Sequence, residues 1–201
     1  MPETEVQTQS LAQLSAGQDW RLTLAHDRDH HLLIWITRGQ GRLLLDGQRR
    51  GISPHNALWI PARSLFALEL GYQCLGHAVL IPKDSDESLP ETPRQLRIRD
   101  GAAQSEIATL IEQTQREVQQ ARPLHQDALK AQVALMSVWL RRQIMAEAHT
   151  APRPKAGDRL SARFCALVTQ GAPKGTSMAE HAAALGVTPT HLTRAVKAAT
   201  G

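Results

Sequence analysis

Four residues near the C-terminal end are of types that could read a polyanion: Thr190, Thr193, Arg194 and Lys197. On a helix, at about 100° per residue, they gather within an arc of roughly 100°. Arginine can grip guanine O6 and N7 with two bonds. Threonine can bond a base edge or touch a thymine methyl, and lysine suits a phosphate. Leu192, Ala195, Val196 and Ala199 fall on the other side and would dock the helix on its own protein. Thr188 is a good N-cap, and Pro189 fits the first helical position, where no N–H is needed. A merely solvated amphipathic helix would share this pattern, so the preceding turn carries the discrimination. Ala182 is small where two helices would cross closely, Gly186 permits a sharp left-handed turn, and Leu192 and Ala195 seat the second helix. The spacing predicts a helix-turn-helix whose outer face meets double-stranded DNA.

A second constellation lies in the first third of the chain. His31, Leu33, Trp35 and Thr37 fall on one face of a strand, and Trp59 lies on another strand. His31, Trp35 and Trp59 could line a mouth that takes a small molecule by apolar contact plus one or two hydrogen bonds. That both tryptophans simply fill the core is at least as good a reading.

The elements that must position these residues follow from periodicity. Residues 20–82 are strand-like, with apolar runs WRLTLA, LLIWITR, RLLLDG, ALWIPA, LFALEL and CLGHAVLIP between Gly, Asn, Asp and Pro. Even spacing of short strands argues for an antiparallel sandwich or barrel. Residues 1–19 are polar and read as a loose arm. Pro82 to Pro93 is acidic and proline-bearing, hence a loop. Beyond it the period changes. Ile107, Leu110, Ile111, Thr114 and Val118 share one side of a helix. After Pro123 a longer helix runs from about Asp127 to His149, with Leu129, Val133, Met136, Leu140 and Ile144 in one stripe. Leu135, Val138 and Trp139 widen its apolar face beyond what one partner covers. The helix therefore packs on its own domain and its hairpin neighbour, and the near-heptad spacing adds a possible dimer seam. Thr150 to Asp158, with two prolines and a glycine, reads as a linker. A short helix follows, with Leu160, Phe164, Leu167 and Val168 inward. GAPKG then interrupts, and Met178 to Leu185 forms the next helix.

Composition bounds the partners. The 201 residues carry a net charge of +4, which permits a polyanion without requiring one. Between Pro152 and Gly201 the only acids are Asp158 and Glu180, so the basic excess sits at the end that carries the candidate DNA face. Aromatic residues make up 3%, too few for the stacking platforms of single-strand RNA binding. Cys74 and Cys165 form no CxxC pair and read as buried thiols of a cytoplasmic protein. No apolar stretch reaches the length of a membrane span, and the N-terminus shows no signal pattern.

The run GVTPTHLTRAVKAATG resembles the first helix-turn-helix of the AraC/XylS family of bacterial transcription regulators, where Pro-x-x-Leu-x-Arg and a closing Thr-Gly recur. The likeness covers roughly Leu160 to Gly201. It implies that Thr190, Thr193 and Arg194 face bases and that Lys197 contacts phosphate. Two departures stand out. His181 occupies a position that is usually apolar, and the second helix-turn-helix of the family is missing. A truncated chain that binds DNA weakly or not at all is the expectation, since phosphate contacts would be lost with that second unit.

The run from His30 to Leu70 is similar to the cupin sensor domains of the same family, through Gly39–Gly41 and Trp59–Pro61. Metal cupins present two His and a carboxylate from one strand pair and a later third His. Here His30 and His31 are adjacent and point to opposite faces, no Glu follows at ligand spacing, and Phe66 stands where the later His would fall. No metal site and no cofactor are expected, and His26, His55 and His77 read as ordinary strand or surface residues.

The resulting expectation is a mixed β and α chain. Residues 1–100 form a cupin-like antiparallel β-barrel that binds a small-molecule effector. Residues 101–150 form a helical connector that could dimerise the chain. Residues 151–201 form an incomplete AraC-type helix-turn-helix domain. It describes a non-enzymatic, homodimeric, cytoplasmic regulator of transcription. Two rivals belong to other classes: a small cupin enzyme with a helical tail, and a sensor or dimerisation module that acts without DNA.

Overall fold

Apolar runs between Gly, Asp and Asn turns form strands, and runs of helical period form helices, in a computed structural model that describes residues 5–15, 22–85, 88–147, 155–169 and 175–201. The first elements are β1 (Gln7–Ser10), α1 (Leu11–Ser15), β2 (His30–Arg38), β3 (Gly41–Leu45) and β4 (Gln48–Ile52). Next come β5 (Asn56–Ile60), β6 (Phe66–Leu70), β7 (Leu75–Pro82) and β8 (Arg94–Arg97). Helices α2 (Gly101–Gln120), α3 (His125–Glu147), α4 (Ala156–Thr169), α5 (Met178–Ala184) and α6 (Pro189–Thr200) complete the order.

The strands make two antiparallel sheets, ordered β1-β7-β2-β5-β8 and β4-β3-β6. They face each other, as the expected sandwich or barrel requires. Leu32, Ile34, Ile36, Leu58 and Ile60 of the larger sheet pack on Leu43, Leu45, Phe66 and Leu68 of the smaller. The other face of the larger sheet, with Leu33, Trp35, Trp59, Val79 and Ile81, packs on α2 and α3 through Ile107, Ile111, Val133, Met136, Trp139 and Leu140. Strand β2 is thus covered on both faces, which is why its middle reads LLIWI without alternation.

The helices are tied as well as packed. Asp100 caps α2, its carboxylate accepting from the N–H groups of Ala102 and Ala103. Trp139 Nε1 donates to the Ala103 carbonyl at 3.0 Å, joining α3 to the start of α2. Ser137 Oγ donates to the Ser88 carbonyl at 2.9 Å and fastens α3 to the loop before β8.

The C-terminal helices have a separate core of Leu160, Ala182, Leu192 and Ala195, with Phe164, Leu185, Val187 and Val196 at its edge. This head rests on the turn between β3 and β4. Asp46 (φ 52°) and Gly47 (φ 66°) are both left-handed, as a two-residue type I′ hairpin turn requires. Ser161 Oγ donates to the Gly47 carbonyl at 2.7 Å. A Cβ at Gly47 would lie 2.7 Å from Ser161, so the close approach of α4 also needs glycine there. The Cys165 thiol beside this turn is pushed up to about 11, by burial and then by the Asp46 charge.

The structure departs from the periodicity in four places. The expected loose arm is ordered over its described residues, 5–15: β1 pairs with β7, and Leu11 and Leu14 of α1 are buried between the sheets. Pairing of a polar backbone at a sheet edge needs no apolar pattern, and two leucines anchor it. The segment WRLTLA makes no strand among its described residues, and an isolated bridge from His26 to Phe66 follows it. Strand β8 pairs with β5 although RQLR carries one apolar residue, Leu96, which is buried. Val168, expected inward, is 39% exposed because the small head core closes over Leu160 and Phe164. The expected linker residues 150–154 and residues 171–174 of GAPKG lie outside the described residues.

Candidate nucleic-acid interface and ligand clefts

Helices α5 and α6 are joined by a turn that hydrogen bonds close at both ends. Ser177 caps α5 in a capping box with Glu180. Hydrogen bonds from the Ser177 backbone and hydroxyl hold the Glu180 carboxyl below its usual range. At the other end Gly186 (φ 71°) takes the left-handed position, with open space around its would-be Cβ. Gly186 N–H donates to Ala183 at 3.1 Å and Val187 N–H to Ala182 at 3.0 Å, the two bonds of a Schellman ending. Only the backbone angle requires the glycine here. Thr188 Oγ1 then accepts from His191 N–H at 3.3 Å, and Pro189 opens α6.

On α6 the two faces separate as the spacing predicts. Leu192 and Ala195 are buried and Val196 is half-buried. Thr190, Thr193, Arg194 and Lys197 are all exposed. Arg194 and Lys197 enter no ion pair among the described residues. Thr193 Oγ1 donates to the Pro189 carbonyl at 2.9 Å, which leaves its lone pairs outward to accept. His181 is buried with its ring edge-on to Phe164 at 5.4 Å, so it fills the apolar position by aromatic packing.

The three residues considered for a ligand lie on the face of the larger sheet that meets the helices. The structure brings two of them together. His31 stacks on Trp59 with ring centres 5.3 Å apart and planes 17° apart. Trp59 is wholly buried and donates from Nε1 to the Pro90 carbonyl at 2.7 Å. His31 Nδ1 accepts from Ala62 N–H at 3.0 Å, so Nε2 carries the proton and donates to the Lys83 carbonyl at 3.1 Å. Burial pushes its pKa down, opposed by the Lys83 bond and the Asp84 charge. Both ring nitrogens are therefore committed to backbone. Trp35, four residues on, sits apart, tilted against His55 at 6.0 Å.

Two clefts open where this face meets the helices. One, of about 240 Å³, lies between Trp35, Thr37 and His77 of the sheet and Ala108, Ile111 and Glu112 of α2. The larger, of about 560 Å³, lies beyond His31. Its walls are Asp29, Arg63 and Pro82–Ser85 on one side and Gln126, Leu129, Lys130 and Val133 of α3 on the other, with Val6 closing the base. Residue patterning did not point to this cleft, because its two sides come together only through the packing of α3 on the sheet. Among the described residues no three His, Cys, Asp or Glu side chains converge as metal ligands, and no helix is long and apolar enough to cross a membrane.

Residues 10–139 match a family model described as an AraC-like ligand-binding domain. No curated protein matches the sequence closely enough to count as a relative. Among solved structures, the chain is similar to an apo form of a ToxT variant from Vibrio cholerae (TM-score 0.45, 9% identity, 99% of this chain and 76% of that one). It is also similar to the AraC-like transcriptional activator CuxR (TM-score 0.40, 10% identity, 96% and 67%). A Pseudomonas aeruginosa protein described as glyoxylate-induced matches over 38% of this chain and 33% of its own length (TM-score 0.31, 14% identity).

Proposed function

Because the chain belongs to the AraC-like ligand-binding domain family, we propose that it is a transcriptional regulator in which a small molecule controls how the C-terminal head meets DNA. The observation that carries the DNA half is the polarity of α6: Leu192 is wholly buried while Thr190, Thr193, Arg194 and Lys197 stand together in solvent. In this reading Arg194 and the two threonines meet base edges in the major groove and Lys197 meets phosphate. One such unit grips a single groove segment and binds weakly. Two units in a dimer add their contacts.

The dimer rests on α3 and the residue before it. Leu124, Ala128, Ala131, Leu135, Val138, Arg142 and Met145 follow one another in alternating steps of four and three. Leu124, Leu135 and Met145 are 76%, 52% and 70% exposed. That is a heptad seam pointing away from the buried stripe of Leu129, Val133, Met136 and Leu140, and a second copy of α3 is its natural cover. The effector site lies on the sheet face of His31, Trp35 and Trp59, where α2 and α3 pack. A ligand held there biases the heads only if it binds one packing of these helices better than the other. Such a protein works in the cytoplasm, beside its DNA.

Selection of duplexes from a random pool by the purified chain at low salt tests this reading. Arg194→Ala should cost roughly 1–3 kcal/mol and relax base preference at one position, whereas Lys197→Ala weakens all duplexes alike. Unchanged binding in both variants removes α6 from the groove.

A further inference from the structure

Helices α4 and α6 lie against β4 of the body, while Thr190, Thr193, Arg194 and Lys197 stay exposed. The outer row of α6 runs on past Lys197. Gly201 follows Arg194 by seven residues and Lys197 by four, which on a helix is the same side. Its N–H donates to the Lys197 carbonyl at 3.0 Å, so the turn is closed up to that point. There the body meets the row: a Cβ on Gly201 would stand 3.2 Å from Nη1 of Arg49. Alternation along β4 turns Arg49 outward, opposite Leu44 and away from the buried Leu43 and Leu45. The other charges of this small sheet are engaged. Arg50 donates to Gln48 Oε1 at 2.7 Å, and Arg42 pairs with Glu69 at 3.7 Å. Asp46 lies in the turn, where its charge acts on Cys165. Arg49 is exposed and enters no ion pair among the described residues.

We infer that Arg49 is a phosphate contact of the DNA interface, so that the sensor body and the head hold the duplex backbone together. Lys197 and Gly201 are about 6 Å apart along α6, against about 3.4 Å of duplex axis for each phosphate of one strand. Lys197 and the Arg49 guanidinium beside Gly201 can therefore take nearby phosphates of the same strand. Charge makes the second cation useful there. The C-terminal end of a helix carries about half a negative charge and repels phosphate. Lys197 is the one base in the last turn of α6, and Arg49 adds another from β4. The Ser161 bond to Gly47, two residues before Arg49 on the same hairpin, sets the register of head and body. Undocking the head separates Arg49 from the row on α6, which gives the body a direct part in DNA affinity. This inference rests on the DNA half of the proposed function and extends it to the body.

Fluorescence anisotropy of a labelled mixed-sequence duplex with the full chain, over about 20–200 mM salt, tests it. Arg49→Gln should reduce the steepness of log affinity against log salt by about 0.9 per protomer and weaken all sequences alike, as Lys197→Gln does. Arg49→Lys keeps the charge and should keep the slope. Arg116→Gln, on α2 behind the larger sheet and paired with Glu112, should leave it unchanged. Hydrogen exchange in α6 should be the same in Arg49→Gln as in the parent. A parental slope in Arg49→Gln beside a reduced one in Lys197→Gln overturns the inference and leaves the DNA reading standing. It is also overturned if Arg49→Lys loses as much slope as Arg49→Gln, or if α6 exchanges faster in Arg49→Gln, since Arg49 then only supports the helix end. A slope that falls in Arg49→Gln, with Lys197→Gln and Arg194→Ala both unchanged, keeps Arg49 on the duplex and takes α6 off it. A parent that leaves the duplex unbound sinks both readings.

Discussion

The sheet-and-helix body and the C-terminal head are built on different scales. The body buries three tryptophans, Trp35, Trp59 and Trp139, in one continuous core between five strands and two long helices. The head has an apolar core of four small or medium residues and leans on the body at the β3–β4 hairpin. Apolar area removed from water scales with these lists, so most of the folding free energy resides in the body. With so few buried apolar residues, the head is the unit expected to open first. The proposed function would use that division: a stiff body to register a ligand, and a head whose placement a small energy can change.

The largest effects should fall on the body. Trp139→Ala removes a wholly buried ring and leaves the Ala103 carbonyl without its partner, at a cost of about 3–5 kcal/mol. Denaturant unfolding should show one weakened transition for β2, α2 and α3 together. Leu192→Ala costs about 2–5 kcal/mol, but against the small head core. Hydrogen exchange should then lose protection in α5 and α6 while the sheets keep theirs, and equal loss in β2 would break the comparison.

A smaller change sharpens the boundary between the two regions. Ser161→Ala leaves the Gly47 carbonyl unpaired at a buried contact, worth about 1–2 kcal/mol. Faster exchange in α4 to α6 with an unchanged body midpoint is the expected outcome. A body midpoint that falls by as much as the head loses would mean the two are one cooperative unit.

The smallest effect is a pH dependence confined to the body. The pKa of His31 is lowered in the fold by burial, so the unfolded chain binds its proton more readily. Its neutral form contributes stability that is fully present above the ordinary value of about 6.5 and is lost as pH falls from there toward the lowered folded value. Denaturant midpoints between pH 5 and pH 8 should show this slope in the parent and lose it in His31→Gln. A slope that survives the change belongs to another group.

How much was legible depended on the range of the forces involved. The head's turn could be read residue by residue, because Gly186, Thr188 and Pro189 act on their own backbone and their neighbours. The edge strands β1 and β8 were not legible. Their pairing is carried by polar backbone groups, which leave no pattern in side-chain type, and Leu11, Leu14 and Leu96 betray the burial. Alternation put His31 and Trp35 on one face of a strand and left Trp59 on another strand. It could not say that α2 and α3 would cover that face and leave two clefts rather than one mouth.

What the amino-acid sequence determined alone is therefore local: where helices start and stop, which residues of α6 share a side, and which side of β2 each residue takes. These follow from backbone geometry within a few positions. What the tertiary structure decided is everything that joins distant segments. Ser161 finds Gly47 across more than a hundred residues, the end of β7 and α3 line one cleft, and one side of α3 is left exposed. No periodicity encodes such meetings, because they depend on how whole layers settle against one another.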